Sequence, residues 1–349
     1  MLCSTVSGRA YHLTQICPAP HRRSDGLSMG TDEFDLISRY LTPLAANDAA
    51  RGLADDAAVF DVPEGFHGVV STDALVSGVH FPCDATGDIV ARRALGSALS
   101  DLAAMGATPT GCLLTWGIGP DWEDTFFTRF VEAFKADLST YKVDLWGGDT
   151  VRAATPFISV CVHGFGRRSD LLSRSGAQAG DAVYVSGTIG DGFLGLQAFG
   201  TATGGDGVSA YEAPVPQLAL GQALAGVASA CIDVSDGLAA DLDHICRASQ
   251  IAMEVEAMAV PLSAAGVAYA QDPGQLGILL TAGDDYQLAF TVNAENEHKL
   301  AARVDAVVGP RVDVDRARVR RAVARRDEGG GRVRPQQDHR GRRDGLSLR

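Results

Sequence analysis

Residues 67–73 read His-Gly-Val-Val-Ser-Thr-Asp, a short run of small and β-branched residues that ends in a carboxylate. β-Branched residues favour strands, so this segment predicts a strand that stops at Asp73. A helix of small residues is predicted at Ala91–Met105, and a second strand at Thr110–Trp116. Strand and helix patterns keep alternating as far as Leu288–Val292, and this alternation predicts an α/β (α+β) fold.

The polar stretch at residues 167–180 divides this pattern into two parts and is typical of a link between domains. We therefore expect an N-terminal domain over residues 29–168 and a C-terminal domain over residues 169–308. Residues 1–28 carry no apolar pattern, so they are predicted to be a disordered extension, with Met29 as the native start. Residues 309–349 show neither helix nor strand periodicity and are predicted to be an aberrant Arg-rich tail.

Three further segments carry weaker patterns. Apolar residues at helical spacing between Phe34 and Leu44 predict a first helix. Asp55–Phe60 reads as a turn that runs into a short strand, and Leu279–Asp285 reads as a strand before a loop.

Composition excludes several classes of protein. The 349 residues are 46% hydrophobic and 21% charged, which is enough apolar material for two cores. No run approaches the 18 apolar residues of a membrane-spanning helix, so no membrane partner is expected. Residues 311–349 contain 13 Arg and 6 acidic residues, whereas residues 1–310 contain 17 basic and 37 acidic residues. A main body this acidic argues against nucleic acid as a partner.

The seven cysteines are scattered, odd in number and free of any Cys-x-x-Cys pair. This usage predicts reduced thiols rather than disulfides or a zinc site, and it is typical of a cytoplasmic protein.

Acidic side chains recur where predicted strands end or helices begin. A single aspartate there is usually a helix cap or a turn former. Six in one chain would repel one another unless cations neutralise them, and Mg²⁺ is the hard ion that takes carboxylate and phosphate oxygens together. The sequence therefore predicts a site for several Mg²⁺ ions, built from Asp56, Asp73, Asp101, Asp149, Asp233 and Asp236.

The chain contains neither G-x-x-x-x-G-K-[ST] nor G-x-G-x-x-G, the common glycine-rich phosphate loops. A phosphate ligand would then be held through metals, backbone amides and Arg174. A pair of carboxylates acting on a sugar is a competing interpretation, but it requires only two acids.

Seven segments, taken together and in this order, resemble the thiamine-monophosphate kinases, a family of the aminoimidazole-ribonucleotide-synthetase-like superfamily. The resemblance extends over about residues 32–292. The segments are residues 55–59, 71–81, 99–107, 147–150, 173–177, 232–238 and 283–286.

The resemblance implies a two-domain fold, with an N-terminal sheet domain that dimerises and a C-terminal α/β domain. It implies ATP-dependent phosphorylation of thiamine monophosphate to thiamine diphosphate by direct in-line transfer assisted by Mg²⁺, the last step of thiamine diphosphate biosynthesis. ATP and thiamine monophosphate are then the partners, and the protein is expected to be a cytoplasmic homodimer.

The family's functional positions fall on residues of this chain. The magnesium positions match Asp56, Ser71, Thr72, Asp73, Asp101, Asp149, Asp233 and Asp236. The ATP contacts match Gly148, Asp149, Arg174 and Ser235, and the contacts to thiamine monophosphate match His80 and Asp284. No catalytic acid or base is expected, because the attacking phosphate oxygen is already ionised and catalysis depends on positioning and cations.

The chain departs from the family at two places. The family usually has Glu where this chain has Asp284, and it ends in a Gly-aromatic-x-His-Phe pattern that residues 309–349 lack. We hypothesise a shift of reading frame near Val308. Two alternatives stay open: another synthetase of the superfamily, or a nucleotide-binding protein impaired by its altered C-terminus.

Overall fold

The structure is a computed structural model. It describes the backbone of residues 33–200 and 206–308 and of three short segments at 314–315, 323–324 and 346–348, with side chains over 35–200 and 209–304. The predicted extension at residues 1–28 and most of the predicted tail at residues 309–349 lie outside the described residues.

The N-terminal half is a four-stranded sheet with helices against one face. Its elements are α1 (Glu33–Leu36), β1 (Phe66–Val76), α2 (Gly87–Ala104), β2 (Thr108–Ile118), α3 (Asp124–Tyr141), β3 (Asp144–Arg152) and β4 (Phe157–Arg167). The strand order is β1-β4-β2-β3, in which β4 runs antiparallel to both its neighbours and β2 runs parallel to β3.

Strand β1 has two chemically different faces, because successive side chains of a strand point to opposite sides. Leu75 is 5% exposed in the core and shares its face with Ser71 and Asp73. Val70 and Thr72 lie on the opposite face, where Val70 is 62% exposed. The strand therefore presents its acidic side chain toward α2, and an uncharged surface away from it.

The C-terminal half contains a second antiparallel sheet of order β6-β8-β5-β9, and β7 lies between β10 and β11. Its helices are α4 (Asp191–Ala198), α5 (Asp206–Glu212), α6 (Leu218–Ala223), α7 (Leu238–Ser249), α8 (Ala264–Tyr269), α9 (Pro273–Thr281) and α10 (Glu297–Val308). Its strands are β5 (Ala182–Ser186), β6 (Ala228–Val234), β7 (Ile251–Val255), β8 (Gln287–Val292), β9 (Val314–Asp315), β10 (Val323–Ala324) and β11 (Leu346–Leu348). Both halves thus have the predicted α/β (α+β) character.

Helix α2 belongs to the cores of both halves. Leu95 packs in the core of the N-terminal sheet. Ala103 packs in a separate core with Leu220 and Phe290 of the C-terminal half. The small side chains predicted for this helix allow both halves to approach its backbone closely.

Four local expectations are wrong. The strand expected to stop at Asp73 continues to Val76, because the next three residues still pair with β4. No strand forms at Asp55–Phe60; instead the Phe60 ring stacks on Trp146 with centroids 4.3 Å apart, and no described strand pairs with this segment. Leu279–Asp285 is not a strand, because α9 runs to Thr281 from a start at which the Asp272 carboxylate accepts two backbone amide hydrogen bonds. The predicted first helix is α-helical only as far as Leu36. It continues as a π-helix and then a 3₁₀ turn that contains proline, which lacks an amide hydrogen.

The predicted tail contributes β9, β10 and β11, although its sequence has no strand periodicity. Backbone amide and carbonyl groups make these pairings, and such bonds require no side-chain pattern.

Among the described cysteines, Cys112, Cys161 and Cys231 are free thiols, as predicted. The prediction is wrong at Cys83, which is disulfide-bonded. Disulfide pairing follows distance in space, which sequence spacing did not reveal.

No helix in the described part of the chain is both long enough and apolar enough to cross a membrane.

We predict that Gly221→Ala destabilises the protein by about 1–3 kcal/mol, the usual cost of overpacking. A Cβ atom at this position in α6 would lie 2.0 Å from the carbonyl oxygen of Ala103 in α2. The measurement is the free energy of unfolding in denaturant.

Gly277→Ala in α9 is the matched control, because a Cβ there has nothing within 4 Å. We expect this variant to gain roughly 0.5–1 kcal/mol from helix propensity. Equal stability of the two variants would contradict the close packing of α2 against α6.

Candidate functional site

Three carboxylates from separate elements come together between the two halves of the chain. They are Asp73 of β1, Asp101 of α2 and Asp233 near the end of β6, and we call them the carboxylate cluster. The charge of Asp101 raises the pKa of both other members, so Asp101 lies within electrostatic range of each of them. The Ser71 hydroxyl on the same face of β1 donates a hydrogen bond to Asp101.

Burial has the largest effect on these groups. Asp233 is 4% exposed, and burial followed by the charge of Asp101 raises its pKa to about 7. Burial is also the main cause that raises the pKa of Asp73. Arg174, on an exposed loop, favours the charged form of Asp233 and so lies close enough to act on the cluster.

The donor set of the cluster fits Mg²⁺. All of its candidate ligand atoms are carboxylate or hydroxyl oxygens, which hard divalent cations prefer to nitrogen or sulfur. The mutual repulsion and burial of the carboxylates are the conditions that a bound cation relieves.

The turn before α7 joins this cluster through Asp241. The Asp241 Oδ2 atom accepts hydrogen bonds from the backbone amides of Ser235 (3.1 Å) and Asp236 (3.2 Å). Ligand atoms of Asp236, Asp241 and His244 lie within 4.8 Å of one another, and the charge of Asp241 reaches Asp233. The backbone amides at the start of this turn are thus already bonded to Asp241.

The two predicted thiamine-monophosphate contacts lie side by side beside the cluster. The guanidinium of Arg93 in α2 donates to the backbone oxygen of His80 (3.3 Å) and to Oδ1 of Asp284 (2.9 Å). The imidazole of His80 favours the charged form of Asp73, and the hydroxyl of Tyr286 donates to Asp284 Oδ1 at 3.2 Å. These contacts connect His80 and Asp284 to the carboxylate cluster.

Four predicted site residues are not drawn into these contacts. Asp56 is exposed on the loop after Leu53, and Thr72 lies on the opposite face of β1 from Asp73. Gly148 and Asp149 are on β3, three strands away from β1, which corresponds to about 14 Å at normal strand spacing. The Asp149 carboxylate is exposed and accepts a hydrogen bond from the amide of Thr150 at 2.8 Å.

Sequence reasoning missed Arg93, Asp241 and Tyr286. Helical spacing did contain a signal for Arg93. It lies four residues before Ser97 and eight residues before Asp101, which places all three on the same face of α2. Asp241 and Tyr286 carried no such signal: Asp241 lies in the first turn of α7 and bonds to the backbone before that helix, and Tyr286 lies in the loop before β8.

The chain matches two family models, the N-terminal domain of AIR synthase related proteins over residues 54–166 and the C-terminal domain over residues 178–314. The second match extends six residues past Val308, the residue near which we hypothesise a shift of reading frame.

A curated relative is the thiamine-monophosphate kinase of Haemophilus influenzae, 35% identical over 284 residues, which cover 79% of this chain and 86% of the relative. The thiamine-monophosphate kinase of Stenotrophomonas maltophilia has a crystal structure of TM-score 0.72 at 33% identity, covering 83% of this chain and 93% of that one. A further solved structure, AaThiL complexed with AMPPCP and TMP, has TM-score 0.65 at 26% identity and covers 86% and 94%.

We predict that the metal-free protein loses stability as the pH rises from about 4 to 7. The pKa of Asp233 is about 7 in the folded chain against an ordinary value of 3.8, so the folded state binds more protons between these values. Asp233→Asn should make the melting temperature less dependent on pH between pH 5 and 8 in EDTA. Some dependence should remain, because burial also raises the pKa of Asp285 to about 7 and of Asp241 to about 6.

Asp121→Asn, at an exposed position, is the control and should show the wild-type dependence. A wild-type slope in Asp233→Asn would contradict the burial of a protonated carboxyl at this site.

Proposed function

Because the chain belongs to the thiamine-monophosphate kinases, a family of the AIR synthase related proteins, we propose that it transfers the γ-phosphoryl group of ATP to thiamine monophosphate with the help of several Mg²⁺ ions. The products are thiamine diphosphate and ADP. The observation that carries the proposal is the convergence of Asp73, Asp101 and Asp233 beside the two residues predicted to contact the substrate.

The AaThiL complex supports the choice of both substrates, because that relative binds TMP together with AMPPCP, an analogue of ATP. Both substrates are polyanions, and the nucleophile is an ionised phosphate oxygen. The protein therefore needs no general base and must instead bring two negative groups together in line.

We assign Mg²⁺ binding to the carboxylate cluster and Asp236, with Ser71 supporting Asp101 through its hydroxyl. Bound there, the ions would neutralise the negative charge shared by the two substrates. Three further proposed Mg²⁺ ligands lie on other surfaces of the N-terminal half: Asp56, Thr72 and Asp149. They would have to move toward the cluster to contact the same ions.

The remaining assigned residues would bind and orient the two substrates. Arg174 offers a guanidinium fork near Asp233 for a nucleotide phosphate, and Ser235 offers its hydroxyl at the start of α7. Gly148 and Asp149 stay proposed ATP contacts. His80 and Asp284 would hold the thiamine end of the acceptor substrate.

We also propose that the protein is a cytoplasmic homodimer that pairs through the face of the N-terminal sheet opposite α2. Cross-strand pairing places Val70, Leu113, Ser159, Cys161 and His163 on this face, which we call the outer sheet face. All five are uncharged, and Val70 is 62% exposed, so a second copy of the same face is a chemically suitable partner. The cytoplasm is proposed because ATP is available there.

The decisive test is a coupled assay with ATP, Mg²⁺ and thiamine monophosphate. We predict that Asp101→Asn lowers turnover at least 100-fold. Removal of the Asp101 charge should weaken the binding of the cations that Asp73 and Asp233 also bind. Circular dichroism should show that the fold is retained.

Asp121→Asn, at an exposed aspartate, should keep wild-type turnover. A wild-type protein that binds ATP but forms no thiamine diphosphate would contradict the proposed function and favour the impaired nucleotide-binding alternative.

For the dimer, we predict that Val70→Glu shifts the protein from dimer to monomer in size-exclusion chromatography with light scattering. Two like charges would be buried face to face in the pair of sheets. Val267→Glu on α8, where Val267 is 58% exposed, should remain dimeric. A dimer that survives Val70→Glu would show that the chain associates through another surface.

A further inference from the structure

Arg93 is the most deeply buried charged side chain in the described part of the chain, at 1% exposure. Burial of an arginine is costly unless its hydrogen bonds are met, and an apolar residue of similar volume would often be at least as stable. The position of Arg93 in α2 therefore calls for a reason beyond packing.

The contacts of the Arg93 guanidinium come from three separate parts of the chain. Nη1 donates to the backbone oxygen of Tyr211 at 2.6 Å, and Nη2 donates both to the backbone oxygen of His80 and to Oδ1 of Asp284. The guanidinium carbon lies 3.8 Å from the centroid of the Tyr211 ring. One planar cation thus joins the loop after β1, the segment around α5 and the loop before β8.

The bonds to Asp284 fix how its carboxylate is turned. Arg93 and the hydroxyl of Tyr286 both donate to Oδ1. Among the described residues nothing donates to Oδ2, and the Asp284 side chain keeps 32% of its surface exposed. The carboxylate is therefore held by one oxygen, which leaves the other oxygen available to a ligand.

The backbone of Asp284 is fixed as well. Its φ angle is +70°, in the left-handed region, and its amide donates to the backbone oxygen of Ser235 at 2.9 Å. A non-glycine residue in this conformation persists only where its surroundings hold it there.

We propose that Arg93 is a positioning residue for thiamine monophosphate: it aligns Asp284 and the His80 loop, which come from different halves of the chain, into a single subsite for the thiamine moiety. This inference rests on the proposed function. Thiamine carries a cationic ring and an aminopyrimidine donor, and a carboxylate with one oxygen held and one oxygen presented is suited to bind either of these groups.

The test is steady-state kinetics of Arg93→Gln with each substrate varied in turn. The KM for thiamine monophosphate should rise at least tenfold, whereas the KM for ATP should change less than twofold and kcat less than threefold. Arg92→Gln is the matched control: it lies next to Arg93 on the same helix, is exposed, and should leave all three constants unchanged.

Arg93→Lys keeps the test valid if the glutamine variant fails to fold. Its single ammonium group cannot donate to Tyr211, His80 and Asp284 with the geometry of the guanidinium fork, so an intermediate rise in the KM for thiamine monophosphate is expected. The double variant Arg93→Gln/Asp284→Asn should weaken binding of thiamine monophosphate by less than the sum of the two single changes, because Arg93 acts in part through Asp284.

The outcomes separate the two proposals. Unchanged KM for thiamine monophosphate in the folded Arg93 variants would overturn the positioning role alone. Equal rises in both KM values, or additive effects in the double variant, would also overturn it and indicate a purely structural role. A wild-type protein that neither binds nor phosphorylates thiamine monophosphate would overturn the proposed function itself, and with it this subsite.

Discussion

Repulsion among buried carboxylates is the constraint on which the candidate site depends. Asp73, Asp101 and Asp233 come from two strands and one helix, and each disfavours the charge of a neighbour in a place that water only partly reaches. Such an arrangement costs stability in the absence of cations. It is expected where a site binds divalent ions and the phosphates that they carry. The same feature therefore accounts for the predicted loss of stability with rising pH and for the proposed use of the site.

Helix α2 carries this arrangement because it serves both halves of the chain. One part of its surface packs on the N-terminal sheet, and another packs in the core that contains Leu220 and Phe290. Asp101 and Arg93 lie on the same helix. Asp101 belongs to the carboxylate cluster, and Arg93 bonds to Asp284. The small residues of α2 allow these charged side chains to lie where two domains meet.

Much of this could be predicted from the sequence. The alternation of strands and helices indicated the fold class, and Asp233 was expected next to the end of its strand. The strand expected to stop at Asp73 instead continues to Val76. The strand expected at Asp55–Phe60 was wrong because an apolar pattern does not supply a pairing partner. Arg93 and the Cys83 disulfide were missed for a related reason: both depend on groups that are distant in sequence, and no local periodicity reports them. Thr72 illustrates the same limit on a smaller scale, since a one-residue step along β1 moves a side chain to the other face of the sheet.

The shared helix also limits how the enzyme can move. A hinge that swings the two halves apart would expose Ala103 and its neighbours in the second core to water, and it would break the close contact between α2 and α6. Large-scale opening and closing of the domains is therefore disfavoured, unlike in kinases whose lobes close over the nucleotide. Substrates must then enter a site that is already assembled, and exclusion of water must come from the substrates themselves and from short loops such as the one that carries His80.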